Sequence, residues 1–373
     1  MRLALVRLRY TGFGGAELYV SRLARRLIDR GHEVHVLARE WEAPETPGLV
    51  FHQVHSAGGP TFVRQPSFAR AVARMVGELK FDLVHSFDRT YSQDVYRAGD
   101  GCHLEFLARR ARAEGRRRAF FDRLNPKHRA LLRLEARLFA DPRLKVVLAN
   151  SERGREEIIR HYGLPGTMVR VLYNGVDRAR FHPGLSSRHR DGLRRELGLS
   201  PGDPVTLFVG SGFRRKGLKE LIEAVALTRA VLLVAGGDRK EPYERLARRR
   251  GAAGRVLFLG PRPDVDRLYG AADLFVLPSW YEPFSNACLE ALAAGLPVVT
   301  TAESGAAEAV EEGRNGFTVR FPVRPEELVD KMEAALSLAR AAVIAANTRI
   351  LEPFDWDLNV ERTLAVYEEF LAR

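Results

Sequence analysis

Apolar positions along the chain follow two alternating rhythms. Short apolar runs at residues 3–8, 34–37, 50–54, 81–85 and 144–149 are bounded by glycine, proline or charged residues and predict buried strands. Between them apolar residues recur at helical spacing, as at Leu18, Leu23, Leu27 and Ile28, where Gly31 closes the helix. The same reading predicts a helix over 67–79, two helices within 103–140 separated near Asn125 and Pro126, and one from Ser151 to Gly163. A strand at 169–172 runs into the turn-rich stretch Tyr173-Asn-Gly-Val-Asp177, a candidate hinge. The alternation then restarts, with strands at 205–209, 231–235, 256–259, 274–277, 297–300 and 317–320. Helices fall at 218–227, after Glu241, at 265–272, at 286–294 and from Gly305, and two more from about Glu326 and Asp357 end the chain. Such alternation implies parallel sheets covered by helices on both faces. Two runs of it around a hinge predict two doubly wound α/β domains, whose functional loops follow the carboxyl ends of strands.

The length of 373 residues suits two domains, each with its own core. The longest apolar stretch, 287–302, is interrupted by Glu290, Gly295 and Pro297, and is too short and broken to span a bilayer. Arginines inside the first apolar run mark it as a strand and not a signal peptide. Cys102 and Cys288 lie far apart and form neither a disulfide framework nor a zinc motif, which fits a reducing cytoplasm. The formal charge of +12 changes the picture more. Arginine dominates it, so it reflects either an arginine-rich composition or an anionic partner. Residues 105–137 hold eleven basic and four acidic residues, more than half of the net charge. Phe106, Leu107, Phe120, Phe121 and Leu131 are mixed among them, a pattern suited to an interfacial surface.

Three strand-to-helix junctions carry candidate chemistry. Gly12-Phe-Gly-Gly-Ala-Glu17 offers close backbone approach at a helix N-terminus, although Glu17 stands where a dinucleotide fingerprint requires glycine. Gly210-Ser-Gly-Phe-Arg-Arg-Lys-Gly217 pairs flexible amides with adjacent cations, as a diphosphate requires, and Leu218 and Lys219 exclude a Walker A loop. Glu282-Pro-Phe-Ser-Asn-Ala-Cys-Leu-Glu290 places one carboxylate in a loop and one in the helix that follows. The first suits sugar hydroxyls, the second a ribose, and the peptide groups of Phe284, Ser285 and Asn286 suit a phosphate or hydroxyls. Ser285 or Asn286 also serves as an ordinary helix cap, which leaves the two glutamates unexplained. The Asp-x-Asp pairs Asp264/Asp266 and Asp355/Asp357 each precede a predicted helix and read as caps, and the ten histidines lack metal-binding spacing.

These blocks, with Asn174-Gly-Val-Asp177, Gly260 to Arg262 and Ala293-Ala-Gly-Leu-Pro-Val298, resemble family 4 of the retaining GT-B glycosyltransferases over nearly the whole chain. Gly31-His32, Trp41-Glu42, the stretch from Asp94 to Asp100, Cys102 and the basic segment resemble most its lipopolysaccharide-core glucosyltransferases. The resemblance implies two Rossmann-like domains facing across a cleft. Residues 1–175 would bind the acceptor, 176–355 the nucleotide-sugar donor, and 356–373 would pack back on the first domain. It implies that Arg215 and Lys216 hold the donor diphosphate, Glu290 the ribose and Glu282 the sugar. Gly14 and Gly15 would lie against phosphate or sugar, backbone near Arg262 against the base, Asp100 near the reacting centre, and Arg180 at the donor from just after the hinge. Tyr19 departs from the acidic residue of the nearest relatives. The expected reaction is retaining transfer of a hexose, glucose from UDP-glucose, to a lipopolysaccharide core or other envelope glycan, without metal or other cofactor. The enzyme would sit peripherally on the cytoplasmic face of the inner membrane, held by residues 105–137. A nucleotide-sugar epimerase of the same fold, or a non-enzymatic binder of anionic membrane or nucleic acid, are the alternatives. Of these the nucleic-acid reading ranks low, because aromatic-rich RNA motifs and a helix-turn-helix pattern are missing.

Overall fold

The computed structural model describes residues 1–10, 15–42 and 47–371. The chain divides into two compact units, Met1–Tyr173 with Asp357–Arg373, and Asn174–Trp356. In the first unit β1 (Arg2–Tyr10), β2 (Glu33–Trp41), β3 (Leu49–Gln53), β4 (Leu83–Ser86), β5 (Val95–Ala98), β6 (Val146–Ala149) and β7 (Val169–Val171) form a parallel sheet in the order β3-β2-β1-β4-β5-β6-β7. Its helices are α1 (Gly15–Asp29), α2 (Thr61–Leu79), α3 (His103–Glu114), α4 (Arg116–Leu124), α5 (Pro126–Phe139) and α6 (Glu152–Tyr162). Leu3, Ala4, Leu5 and Val6 are all fully buried, which is why β1 reads as a continuous apolar run and not an alternating one.

The second unit has α7 (Leu185–Glu196), β8 (Val205–Val209), α8 (Leu218–Ala226), β9 (Val231–Ala235), α9 (Glu241–Arg249), β10 (Val256–Gly260), α10 (Val265–Ala271) and β11 (Leu274–Leu277). It continues with α11 (Asn286–Ala293), β12 (Val298–Thr301), β13 (Gly316–Val319), α12 (Pro325–Leu336) and α13 (Arg340–Ile350). Its parallel sheet runs β10-β9-β8-β11-β12-β13. The terminal helix α14 (Trp356–Leu371) returns to the first unit. There Tyr367 meets His85 Nδ1 at 2.6 Å, Thr363 meets the Tyr19 hydroxyl at 2.8 Å, and Glu369 takes two bonds from Arg170. Gly175 passes so close to Trp356 that a Cβ there would lie 2.8 Å from the Trp356 Cα.

The structure departs from the sequence reading in several elements. The basic segment forms three helices, not two, because Gly115 adopts a φ of +84° between α3 and α4. Strand β5 escaped notice because Tyr96 and Arg97, polar in sequence, are buried, with the Arg97 guanidinium 5.2 Å from the Tyr19 ring centre. Helix α7 is mostly serine, arginine and histidine and buries only Leu185, Leu193 and Arg194. Alanine-rich α13 buries only Val343 and Asn347 and so lacks an apolar stripe. The helix expected from Gly305 is a 3-10 turn, Gly305–Ala309.

A buried acid in α6 gives the fold a pH dependence. Burial and the nearby Glu105 push the Glu157 carboxyl up to about 7, against the pull of Arg153, Arg109 and Arg160. The native state therefore holds this proton more tightly than the unfolded chain does. The stability it contributes is present at low pH and lost as pH rises from the unfolded value through about 7, at most about 3 kcal/mol. Glu157→Gln is expected to stabilise the protein at pH 8 and to change little at pH 5, measured by urea unfolding. Equal shifts at both pH values would contradict a buried, proton-binding Glu157.

Candidate functional site

The order of the second sheet reverses between β8 and β11, which are neighbours in space and far apart in sequence. Loops leaving such a point diverge and open a ligand crevice at the carboxyl ends of the strands. The loop after β8 turns through Gly210, Gly212 and Gly217 at φ of +130°, +85° and +77°. Asp238, beyond β9, pins it by accepting from the amides of Gly212 at 2.8 Å and Phe213 at 2.6 Å. A Cβ at Gly217 would collide with the Pro278 carbonyl, so this loop lies directly on the one after β11. The Trp280 indole seals the contact by donating to the Arg214 carbonyl at 3.1 Å.

Arg215, Lys216 and Glu282 meet at this junction. Arg215 Nη1 donates to Glu282 Oε2 at 2.9 Å and to the Tyr281 carbonyl at 2.7 Å, and Lys216 Nζ stands 3.6 Å from the same Glu282 oxygen. Glu282 is buried, and its carbonyl accepts from Gly305 N at 2.9 Å. Ser285 caps α11 by accepting from Cys288 N at 3.3 Å. Asn286 accepts from Asn174 at 2.7 Å, and the Phe284 ring stacks on Phe354 with 5.8 Å between centres. One turn into α11, Glu290 Oε2 accepts from the Tyr269 hydroxyl at 2.8 Å. Arg180 Nη2 donates to the Pro263 carbonyl at 2.6 Å and to Asp266 at 3.1 Å. Arg262 makes a two-pronged pair with Asp264 at 2.8 and 2.5 Å. The second unit thus gathers Arg215, Lys216, Arg262, Glu282 and Glu290 on loops and helix starts beyond β8, β10 and β11, with Arg180 joining from the stretch before α7. Asp264 does not cap α10 with its side chain, as the sequence suggested; it serves Arg262 and Arg267. Among the described residues no cluster of three or more His, Cys, Asp or Glu side chains suits a metal ion.

In the first unit Gly14 lies outside the described residues, and Gly15 opens α1. Asp100 follows β5 with its side chain 68% exposed, and one oxygen lies 3.3 Å from Arg89 Nη1. Tyr19 is buried among Thr363, Phe87 and Arg97, so its phenol helps seat α14. The basic segment is partly neutralised from within. Glu105 takes Arg109, Arg160 and His161, and the buried Asp122 pairs with Arg110 and Arg118. Leu131, expected at an interface, is core. Phe120, Phe121 and Leu124 of α4 are instead 60%, 63% and 60% exposed, beside exposed Arg116, Arg117 and Arg123.

Sequence reasoning missed Asp238, Tyr269 and Arg89. Asp238 carried a signal, two glycines after a strand; the other two read as ordinary helix and loop residues. Comparison with known proteins bears on the whole chain. The family described as Glycosyl transferases group 1 matches residues 189–349, and Glycosyltransferase Family 4 matches residues 13–180. Lipopolysaccharide glucosyltransferase WaaG of Escherichia coli (strain K12) is 28% identical over 335 residues, 88% of this chain and 88% of that protein. D-inositol 3-phosphate glycosyltransferase of Salinispora arenicola (strain CNS-205) is 30% identical over 398 residues, 96% of this chain and 88% of that protein. Among solved structures, the crystal structure of WaaG, a glycosyltransferase involved in lipopolysaccharide biosynthesis, gives a TM-score of 0.82 at 27% identity over 98% of this chain and 99% of that one.

Burial raises the Glu290 carboxyl above the ordinary glutamate range, and the Tyr269 hydroxyl, Arg180 and Lys216 pull it back. Tyr269→Phe removes one of those restraints, so the Glu290 carboxyl should titrate higher still. Carbon NMR of labelled glutamate, with Glu290→Gln to assign the signal, measures it. A downward shift in the variant would contradict the hydrogen bond.

Proposed function

Because the chain belongs to the glycosyltransferases, with a family 4 and a group 1 region on the two Rossmann-like domains of the GT-B fold, we propose that it transfers glucose from UDP-glucose, with retention, to a lipopolysaccharide core or related envelope glycan. The observation that carries the reading is the convergence of Arg215, Lys216 and Glu282 where the second sheet reverses, one helix start away from Glu290. The sugar and the acceptor follow the relative WaaG, named a lipopolysaccharide glucosyltransferase.

In this reading the diphosphate lies against Arg215, Lys216 and the N-terminus of α11. The bond from the anomeric carbon to the phosphate oxygen breaks as one to the acceptor oxygen forms on the same face. The acceptor's proton passes to the leaving phosphate, whose growing charge the two cations stabilise. Fixed cations do the work a divalent ion does elsewhere, so no metal is needed. Glu290 holds the ribose hydroxyls, and backbone near Arg262, beside Arg180, meets the base. Phe284, Ser285 and Asn286 present peptide groups to phosphate or sugar. Glu282 faces the sugar, and Asp100 serves the acceptor side.

The two glutamates test this. Glu290 meets a part of the donor that does not change in the reaction, so Glu290→Gln should weaken UDP binding more than it slows the chemical step. Glu282 meets the sugar, so Glu282→Gln should slow single-turnover transfer more than it weakens UDP binding. Loss of a charged hydrogen bond costs about 1.5–3 kcal/mol, so each effect should reach roughly tenfold. Calorimetry with UDP and rapid-quench transfer from UDP-glucose, both in excess EDTA, provide the measurement. Folded variants that move neither quantity refute the site, chelator-sensitive activity refutes metal independence, and donor turnover that yields an epimer without acceptor favours an epimerase.

We also propose that the protein works at the cytoplasmic face of the inner membrane. No helix among the described residues is long and apolar enough to cross a membrane. Helix α4, within the segment 105–137, exposes three large apolar side chains beside arginines, as an interfacial helix does. Binding to anionic vesicles should weaken with salt and fall when Arg116, Arg117 and Arg123 are changed to glutamine. Flotation that gives equal binding to neutral and anionic vesicles would rule this contact out.

A further inference from the structure

Beneath the Asp100 loop lies a buried charge network that the proposed reaction does not yet use. Arg89, in the loop after β4, is only 7% exposed, and each of its three nitrogens has a different partner. Nε donates to Glu135 Oε1 at 2.8 Å, Nη1 to Asp100 Oδ2 at 3.3 Å and Nη2 to the Gly101 carbonyl at 3.0 Å. Glu135, on α5, is fully buried and takes three donors: Arg89, the His103 amide at 2.9 and 3.0 Å, and the Tyr162 hydroxyl at 2.6 Å. The start of α3, helix α6 and the loop after β4 are therefore fastened to one carboxylate. The loop is fastened a second time through Asp88, which accepts from the Leu8 amide on β1 at 2.7 Å.

We propose that Arg89 is a positioning residue for the acceptor side of the reaction: it clamps the turn at Asp100 and Gly101 and presents the Asp100 carboxylate to a hydroxyl of the acceptor sugar. This rests on the glycosyltransferase reading. Three features separate it from ordinary core packing. Arg89 has its buried partner in Glu135, and it reaches in addition to Asp100, whose side chain is 68% exposed and needs no buried charge to balance it. The exposed carboxylate stands just beyond the carboxyl end of β5, where open parallel sheets bind ligands. Arg89 engages only Oδ2, and among the described residues Oδ1 has no hydrogen-bond partner, so it is available to accept from a hydroxyl. The fork also fixes the residue type. A lysine has a single nitrogen and cannot reach Glu135, Asp100 and the Gly101 carbonyl together. Gly101, at φ +69°, makes the turn that brings its carbonyl to Nη2.

Arg89→Lys keeps the charge and removes the fork. Hydrogen exchange over residues 98–103 is expected to accelerate roughly tenfold, the scale of one lost charged hydrogen bond. With UDP-glucose and truncated lipopolysaccharide core, kcat/KM for the acceptor is expected to fall roughly tenfold or more while UDP affinity stays within twofold. In an Asp100→Ala background, the further effect of Arg89→Lys on transfer should be less than about twofold, because both changes disable one device. Unchanged exchange and transfer, or multiplicative losses in the double variant, overturn the proposal. Should Arg89→Lys fail to fold, the exposed Asp100→Asn gives the same test: an acceptor-side loss with UDP affinity kept supports the clamp, and full activity overturns it. A wild-type protein that transfers from no nucleotide sugar refutes the proposed function instead, while the exchange measurement still judges the clamp.

Discussion

Arg215 and Lys216 are adjacent cations at the mouth of a parallel sheet, and one oxygen of Glu282 lies 2.9 Å from the first and 3.6 Å from the second. Side by side and partly buried, the two charges repel one another, and the shared carboxylate offsets that repulsion. The backbone around them serves the same end. Three glycines at positive φ wrap the loop, Asp238 pins two of its amides, and the Pro278 carbonyl leaves no room for a side chain at Gly217. An anion entering this junction meets cations already in place, so little reorganisation energy is spent when charge develops on a leaving phosphate. Reversal of the strand order between β8 and β11 is what makes the junction possible, since only there do two post-strand loops part and leave a crevice.

The first unit solves a related problem with a different balance of charge. Its central element is a buried carboxylate, Glu135, surrounded by donors, whereas the second unit gathers cations around a shared acid. In both, a charge that would be costly alone is held by several hydrogen bonds from different elements. The consequence is a division of labour. The second unit carries the groups suited to a nucleotide diphosphate, and the first carries the exposed Asp100 carboxylate backed by the Arg89–Glu135 pair.

Legibility in the sequence followed the distance between partners. Arg215, Lys216, Glu282 and Glu290 were readable because each sits in a compact loop-to-helix motif after an apolar strand. Tyr269 and Glu290 are 21 residues apart, Gly212 and Asp238 26, and Arg89 and Glu135 46, so these pairings exist only once the sheets have formed. The two-domain alternation was legible for a similar reason: it depends on local runs of apolar residues. Strand β5 was not, because its polar residues are buried by tertiary partners such as Tyr19, which overrides the local pattern. The division of the basic segment at Gly115 needed only the rule that glycine breaks helices, and the run of good helix formers around it hid the break.

More than half of the net charge of +12 lies in residues 105–137, and the structure neutralises part of it from within. Arg109, Arg110 and Arg118 face Glu105, Glu114 and Asp122, and the core takes Leu131. Charges used this way hold helices together and contribute little to long-range attraction, because each is cancelled within a few ångströms. What remains outward on α4 is Arg116, Arg117 and Arg123 around Phe120, Phe121 and Leu124, while Arg112 of α3 and Lys127, Arg129, Arg133 and Arg137 of α5 are exposed as well. The same three helices therefore do two separate things. Their inner face, through Glu135, braces the loop that bears Asp100, and their outer face offers apolar side chains ringed by cations. Because α5 carries Glu135 on the braced side and follows α4 directly, a force that held α4 against a surface would act on the frame that sets the Asp100 turn.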